Sequence, residues 1–274
     1  MSFSVRALGL LALSAAQLFN GAHAGVKSCP ANSPVSCSSS SSKSSSGSCC
    51  LESPGGLLLQ TQFWDTDPVT GPTDSWTIHG LWPDNCDGSY QQNCDPSRAY
   101  KNITEILQAA GKQSLLDYMK TYWQSNDESP EEFWEHEWAT HGTCINTIDP
   151  SCYTNYTAGE EAADFFQQVV TLFKSLDTYQ ALSDANITPS TDQTYDLSDL
   201  EAATSKIHDG KTPQLSCSNG ELSQIYYYFN LQGNAITGKY IPVDSPDSSN
   251  CPKSGIKYLP KSQGSSSSGR RHGG

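Results

Sequence analysis

Three of the six histidines lie in two short segments that are rich in aromatic residues. His79 lies in WTIHGLWP, and His136 and His141 lie in FWEHEWATHGTC. Two histidines from separate segments, brought together by the fold, can cleave a phosphodiester through the ribose hydroxyl. One removes the proton of the 2′-OH, and the other protonates the leaving 5′-oxygen while a nearby charge stabilises the pentacovalent phosphorus. This chemistry requires neither a metal nor a cofactor.

The second segment has the spacing of a helix that carries catalytic groups on one face. Glu137 precedes His141 by four residues, so their side chains should meet. We expect the carboxylate to orient His141 and raise its pKa, which suits a general base or acid. His136 lies beside this stripe. The alternative is that these histidines only satisfy hydrogen bonds in the core, but three of them among aromatic residues favour a functional site.

A zinc protease is the other function that this helix suggests, because His136 and Glu137 begin an HExxH pattern. That pattern needs two histidines four residues apart, so that both face one metal ion. Thr140 occupies the fourth position after His136, and His141 comes one residue too late. The spacing therefore excludes this class of protease.

The first segment offers groups that suit a nucleotide base. His79 is predicted at the end of a strand, and Gly80 after it permits close approach of a ligand. Trp82 and Tyr90 present flat faces on which bases can stack, and Asp84 can accept hydrogen bonds from a base edge. Packing in the core or around a disulfide is an equally good explanation of the two aromatic residues.

Hydrophobic periodicity predicts the elements that position these segments. The predicted strands are 57–64, 76–81 and 222–231. The predicted helices are 103–123, one that begins after Ser129 and ends at Gly142, 158–176 and 197–207. Because strands and helices do not alternate regularly, an α+β fold is favoured over a doubly wound one.

The chain shows several features of an exported protein. An apolar run near the N-terminus ends in an AHA sequence, which predicts a signal peptide over residues 1–24 rather than a buried helix or a membrane span. A serine-rich loop is predicted at 38–48 and a disordered tail at 264–274, which leaves one domain over 25–263. Three glycosylation sequons begin at Asn102, Asn155 and Asn186.

All ten cysteines follow the predicted signal peptide, and their even number indicates disulfides formed in an oxidising compartment. Their spacing does not fit a zinc site. Cys49 and Cys50 are adjacent, so each should bridge to a different segment. The spacing alone leaves the pairing open.

The formal charge of −13 is unusual for a protein that would bind a polyanion. In an acidic vacuole or an acid medium, carboxylates approach their ordinary pKa of about 4 and histidines become charged. We therefore expect a secreted or vacuolar protein that works at acid pH.

The sequences IHGLWPD and FWEHEWxxHGTC resemble the two active-site segments of the ribonuclease T2 family, and the resemblance extends from about Cys29 to Cys251. It implies an α+β fold with a central antiparallel sheet flanked by helices. It also implies a metal-independent, base-nonspecific acid endoribonuclease that needs no cofactor, takes single-stranded RNA as its partner and forms 2′,3′-cyclic phosphates. A monomer is the default expectation.

The resemblance also implies a role for each site residue. His141 would be the general base, His79 the general acid, Glu137 the group that stabilises the phosphorane and His136 a phosphate ligand. The implied base-site residues are Trp82, Asp84, Tyr90 and Phe133. The implied disulfides are Cys29–Cys50, Cys37–Cys86, Cys49–Cys152, Cys94–Cys144 and Cys217–Cys251.

Thr140 departs from the family pattern, in which lysine is common at this position. Losing one charge-stabilising donor can cost about 10²–10³ in rate. Lys112, Lys120 or another cation is a candidate to supply the missing charge through the fold. The main alternative function is therefore a binding protein with the same fold and weakened catalysis, and a glycan-binding module is a distant third because it leaves the paired histidines unexplained.

Overall fold

The computed structural model describes residues 25–38 and 48–261. The α-helices in this part of the chain are α1 (Ile103–Ala109), α2 (Gln113–Tyr122), α3 (Pro130–Thr140), α4 (Glu160–Ser175), α5 (Thr178–Asp184) and α6 (Leu197–Ser205). The strands are β1 (Gly25–Val26), β2 (Leu57–Phe63), β3 (Thr77–Asp84), β4 (Tyr153–Thr154), β5 (Thr194–Tyr195), β6 (Gln214–Ser218), β7 (Glu221–Gln232), β8 (Lys239–Val243) and β9 (Ile256–Lys257). The predicted signal peptide, tail and nearly all of the serine-rich loop lie outside the described residues.

A seven-stranded sheet forms the centre of this α+β fold. Its main path is β3-β2-β7-β9-β5, and β6 and β8 pair with the two halves of the long strand β7. All of these pairs are antiparallel except β7 with β9. The sheet is therefore mixed, whereas the resemblance implies an antiparallel one. β1 and β4 form a separate two-stranded ribbon.

The boundaries of the second predicted strand (76–81) and of the first predicted helix differ from the structure for local reasons. β3 continues through Pro83 to Asp84, because it is an edge strand, where a proline without N–H is tolerated. The single helix predicted over 103–123 is two helices, α1 and α2. They are separated at Gly111, whose φ of +69° is a left-handed conformation that ends a helix.

Helix α3, which carries the second motif, has a strong N-terminal cap. The hydroxyl of Ser129 accepts from the backbone N–H of Glu132, whose carboxylate accepts from the N–H of Ser129, and Pro130 occupies the first turn. The helix ends at Thr140. Gly142 follows because a Cβ there would overlap the ring of Trp138.

The ten cysteines form five disulfides, and the described residues contain no free cysteine. The pairs are those that the resemblance implies: Cys29–Cys50, Cys37–Cys86, Cys49–Cys152, Cys94–Cys144 and Cys217–Cys251. Such a set indicates maturation in the secretory pathway. No helix in the described part of the chain is long and apolar enough to span a membrane.

The two faces of the sheet have different roles. One face and the helices enclose a large hydrophobic core with five buried tryptophans: Trp64, Trp76, Trp123, Trp134 and Trp138. On the other face a smaller apolar cluster centres on Leu57, Leu59 and Tyr228. Trp82 and Tyr226 pack against this smaller cluster, next to the motif residues.

Candidate active site

A β-bulge in β3 places His79. Thr61 of β2 pairs with Gly80, but the next residue, Gln62, pairs with Ile78. His79 is therefore the extra residue in the β3 strand. A bulge re-aims the side chain that it carries, and bulges are common next to active sites.

Two phenylalanines support the imidazole of His79. The ring of Phe63 stacks on it with the centroids 3.9 Å apart, and the ring of Phe133 lies 5.8 Å away. Phe133 is only 5% exposed and lies behind His79, outside the set of residues that line the cavity described below.

Helix α3 delivers Glu137 into the space that Gly80 leaves open. A Cβ on residue 80 would overlap Oε2 of Glu137, so glycine is required here. The carboxylate is fully buried; Nε1–H of Trp82 donates to Oε2 at 2.9 Å, and Nε2 of His79 lies 3.6 Å from Oε1. Burial raises the pKa of Glu137.

Trp82 lies between the two histidines that come from separate segments. Its ring stacks on His141 with the centroids 4.8 Å apart, and the ring of His79 meets it edge-on at 4.6 Å. β3 and α3 thus meet through one indole, which contacts both histidines and donates to Glu137.

Burial also sets the charge state of the histidines. It lowers the pKa of His141 to about 3, with a further contribution from His136. The prediction that Glu137 raises the pKa of His141 is therefore wrong, because this carboxylate faces His79 and Trp82 instead. Burial, with smaller contributions from His141 and His136, lowers the pKa of His79, and the side chain of Gln224 partly offsets this effect.

These groups open into one cavity of about 500 Å³. The predicted site residues among its lining are His79, Trp82, Asp84, Tyr90, His136, Glu137 and His141. The lining residues that sequence reasoning missed are Leu59, Gln92, Gln214, Tyr226 and Tyr228. The alternation of Gln224, Tyr226 and Tyr228 along one strand was the available signal, since alternate residues share a face of the sheet.

Asp84 and Tyr90 form the part of the cavity that suits a base. They face each other through an isolated β-bridge, and Tyr90 is 65% exposed, so its ring is free to stack. Burial and the neighbouring Asp247 raise the pKa of Asp84 to about 7. At acid pH its carboxyl can therefore donate as well as accept a hydrogen bond.

The cavity has little positive charge. No lysine or arginine is among the described residues that line it. Thr140 is 8% exposed and lines an adjoining pocket together with His136 and Lys101. Nζ of Lys101 lies 3.3 Å from a carboxylate oxygen of Glu135.

The two lysines suggested as substitutes for a cation at position 140 lie elsewhere. Lys112 pairs with Asp164 at 3.5 Å, in a groove between α1 and α4. Lys120 belongs to α2 and lines neither the cavity nor the adjoining pocket. The compensation proposed for these residues is therefore not supported.

His136, Glu137 and His141 have ligand-type atoms within 4.8 Å of one another. This spacing would also admit a metal ion. Metal-independent cleavage remains a prediction, which chelation would test.

Comparison with known proteins identifies the family. The model of the "Ribonuclease T2 family" matches residues 55–251. The chain is also 57% identical over 254 residues to ribonuclease T2 of Aspergillus oryzae (strain ATCC 42149 / RIB 40), covering 93% of this chain and 91% of that protein. The chain belongs to the ribonuclease T2 family.

Two further relatives show how close this ribonuclease T2 family member is to others. Ribonuclease M of Aspergillus phoenicis is 61% identical over 239 residues, which is 86% of this chain and 99% of that one. The crystal structure of the T2 ribonuclease Actibind superposes with a TM-score of 0.83 at 60% identity, and covers 86% of this chain and 99% of its own. The α+β fold of the family is thus shown for this chain.

Proposed function

We propose that this ribonuclease T2 family member is an endoribonuclease that cleaves single-stranded RNA by attack of the 2′-OH on the adjacent phosphorus. The products are a 2′,3′-cyclic phosphate and a free 5′-OH. The observation that carries the proposal is the grouping of two half-buried histidines and a buried glutamate around Trp82, at the wall of one cavity. The close relatives that are called ribonucleases support it.

His141 is the general base in this mechanism. A pKa well below 6.5 keeps its imidazole neutral at acid pH, so that it can take the proton of the 2′-OH. The 2′-oxygen then bonds to phosphorus, and the bond between phosphorus and the 5′-oxygen breaks.

His79 is the general acid, which gives its proton to the leaving 5′-oxygen. Burial lowers its pKa to about 3, so the protonated form is a minority from pH 4 upwards and grows as the medium becomes more acidic. Activity should therefore increase as the medium becomes acidic, and the negative charge of a bound phosphate further favours the imidazolium.

Glu137 and His136 act on the phosphoryl group. Because burial raises its pKa, Glu137 carries a proton at acid pH and can donate a hydrogen bond to a phosphorane oxygen. His136 is exposed at the cavity and can hold the phosphate from the solvent side.

The base stacks on Tyr90 and Trp82, and Asp84 bonds to its edge. The protonated carboxyl of Asp84 offers both a donor and an acceptor, which suits the edges of several bases.

The remaining proposals concern processing and location. Residues 1–24 would be removed as a signal peptide, 25–263 would form the catalytic domain, and 264–274 a tail. Asn102, Asn155 and Asn186 are exposed, as glycosylation requires. The product would be a monomeric, secreted or vacuolar protein.

The test uses the mature chain with its disulfides formed and an RNA oligonucleotide in the presence of EDTA. We expect fragments that end in a 2′,3′-cyclic phosphate, seen by mass spectrometry. A matched oligonucleotide with one 2′-deoxy sugar should resist cleavage at that position only. Cleavage at the deoxy position would contradict the mechanism. Loss of RNA cleavage when EDTA is added would contradict it as well.

One observation favours a second function. The cavity lacks a lysine or arginine among its described lining residues, and Thr140 stands where a cation is common in the family. If the folded protein binds RNA but does not turn it over at any pH, it is better described as a binding protein on this scaffold.

A further inference from the structure

Gln224 lies on the active-site face of the sheet, across β2 from His79. It pairs in register with Phe63, whose ring stacks on the imidazole of His79. The hydroxyl of Tyr226, two residues along the same strand, donates a 2.7 Å hydrogen bond to Oε1 of Gln224. Tyr226 in turn lines the cavity. The carboxamide of Gln224 is therefore held in place next to His79.

The two nitrogens of His79 have different surroundings. Nε2 faces Oε1 of Glu137 at 3.6 Å, whereas Nδ1 is buried and has no hydrogen-bond partner of ordinary length. The side chain of Gln224 also interacts with this imidazole, and as an acceptor it favours the protonated form. Since Nε2 is directed at Glu137, Nδ1 is the nitrogen left for Gln224.

The other elements packed against His79 supply either charge or apolar surface. The groups that face it are Phe63 from β2, Trp82 from β3, Phe133, His136 and Glu137 from α3, His141 just after α3, and Gln224 from β7. Among them, Gln224 is the acceptor that acts on the imidazole and does not titrate.

We propose that Gln224, held by Tyr226, is a positioning residue for His79: its amide oxygen accepts the Nδ1–H, which leaves Nε2 to deliver the catalytic proton. This inference rests on the acid role of His79 in the proposed function. A hydrogen bond at one ring nitrogen fixes the tautomer and the orientation of the other. In the reaction the Nε2–H bond breaks, the proton goes to the 5′-oxygen as that oxygen leaves phosphorus, and neutral His79 keeps its Nδ1–H on Gln224.

The first test does not depend on RNA cleavage. The chain is labelled with ¹⁵N-histidine, and the tautomer of neutral His79 is read by NMR in the wild type and in Gln224→Leu. We expect the Nδ1–H tautomer in the wild type and a shift towards Nε2–H in the variant. The same tautomer in both proteins would overturn the proposal.

The second test is kinetic. In Gln224→Leu we expect kcat for RNA to fall by about 10-fold or more, with KM unchanged. The basic limb of the kcat/KM profile should move to lower pH in Gln224→Leu. It should move to higher pH in Gln224→Glu, because a carboxylate favours the imidazolium. A basic limb of the kcat/KM profile that stays at the same pH in both variants would contradict the proposal.

Two further variants keep the result interpretable. Tyr226→Phe removes the hydrogen bond that holds the carboxamide of Gln224 but leaves the carboxamide itself. It should shift the tautomer of His79 and the basic limb of the kcat/KM profile in the same direction as Gln224→Leu does, but to a smaller extent. Gln232→Leu removes another glutamine of β7, one that donates to Ser33 O at 3.0 Å, and should move neither. An equal shift in Gln232→Leu would show general loosening of β7 and would reject the positioning role. If the wild type itself fails to cleave RNA, the proposed function fails, and the tautomer still decides the role of Gln224.

Discussion

At the scale of single residues, Trp82 has a larger role than sequence reasoning gave it. Its position in the motif predicted a platform for a base. In the structure it also stacks on His141, meets His79 edge-on and donates to Glu137. These contacts join β3 to α3, so they depend on how distant segments pack and could not be predicted from local spacing.

Trp82→Phe removes the N–H donor to Glu137 but keeps an aromatic ring, so it tests the hydrogen bond apart from the stacking. It leaves a buried carboxyl without its donor, so we expect the free energy of unfolding to fall by about 1–3 kcal/mol and kcat for RNA to fall as well. The control is Trp138→Phe, which removes a 2.6 Å bond to the backbone oxygen of Arg98 away from the cavity. Urea denaturation and RNA cleavage assays should show lost stability in both variants and lost activity in the first alone. Equal activity in the two would contradict the role of Trp82.

Thr140 offers a gain-of-function prediction. Because no lysine or arginine is among the described residues lining the cavity, Thr140→Lys should add a cation in the adjoining pocket, which it shares with His136, the proposed phosphate ligand. We expect kcat to rise, by up to about 10²-fold. Thr140→Val, which removes only the hydroxyl, serves as the matched control in the same steady-state assay. An unchanged kcat in Thr140→Lys would show that the site needs no further charge.

At the scale of elements, the motif-bearing segments were the most predictable part of the chain. Ser129 and Pro130 are local start signals, and α3 begins where they predict. The break at Gly111 was missed because the hydrophobic spacing continues across it, although glycine is itself a stop signal. β6, β8 and β9 were missed as well, since short strands are specified by pairing with β7 rather than by their own pattern.

The bulge at His79 is a feature that depends on the pairing of two strands and not on the sequence of either strand alone. Nothing in WTIHGLWP marks an extra residue, which exists only relative to the register of β2. The same holds for Gln224, which reaches His79 across an intervening strand. Residue types therefore predicted the chemical groups, and pairing decided which groups meet.

The disulfide Cys94–Cys144 joins two segments of the site, and its removal should affect function as well as stability. Cys94 follows the loop with Tyr90 and Gln92, and Cys144 follows the end of α3. We expect the free energy of unfolding of a double Cys→Ala variant to fall by about 2–4 kcal/mol, and its KM for RNA to rise.

Cys217–Cys251 provides the matched control for this prediction. It ties β6 to the segment before β9, and Cys217 lies near the end of β6 away from Gln214, the residue of this strand that lines the cavity. Its removal should lower the unfolding midpoint in urea and leave KM unchanged. A similar rise of KM in both double variants would mean that the effect on binding is not local.

At the scale of the whole molecule, buried titratable groups predict an acid optimum of stability. Burial raises the pKa of Glu52 from 4.5 and that of Asp84 from 3.8, in both cases to about 7. Between the ordinary and the raised values the folded state binds more protons than the unfolded state, so stability falls as pH rises towards 7. Burial lowers the pKa of His141 from 6.5 to about 3, and that of His79 as well, so stability falls as pH drops below 6.5. These opposing effects place the maximum between about pH 4.5 and 6.5.

Urea midpoints measured across this pH range would test the balance. Glu52→Gln should flatten the decline between pH 6.5 and 7, because glutamine does not titrate. A stability maximum above pH 7 would contradict the assignment of these buried groups. An acid optimum also agrees with the charge of −13, which diminishes as carboxylates are protonated and makes approach of RNA easier.

The central claim is that His79 and His141 together cleave RNA without a metal. The most direct measurement is RNA cleavage by the mature, disulfide-bonded chain from pH 4 to 8 in EDTA, beside His79→Ala and His141→Ala. We predict an acid optimum with 2′,3′-cyclic phosphate ends, and a loss of about 10²-fold or more in each variant. Turnover that survives in either variant, or a wild type that is inactive at every pH, would contradict the account.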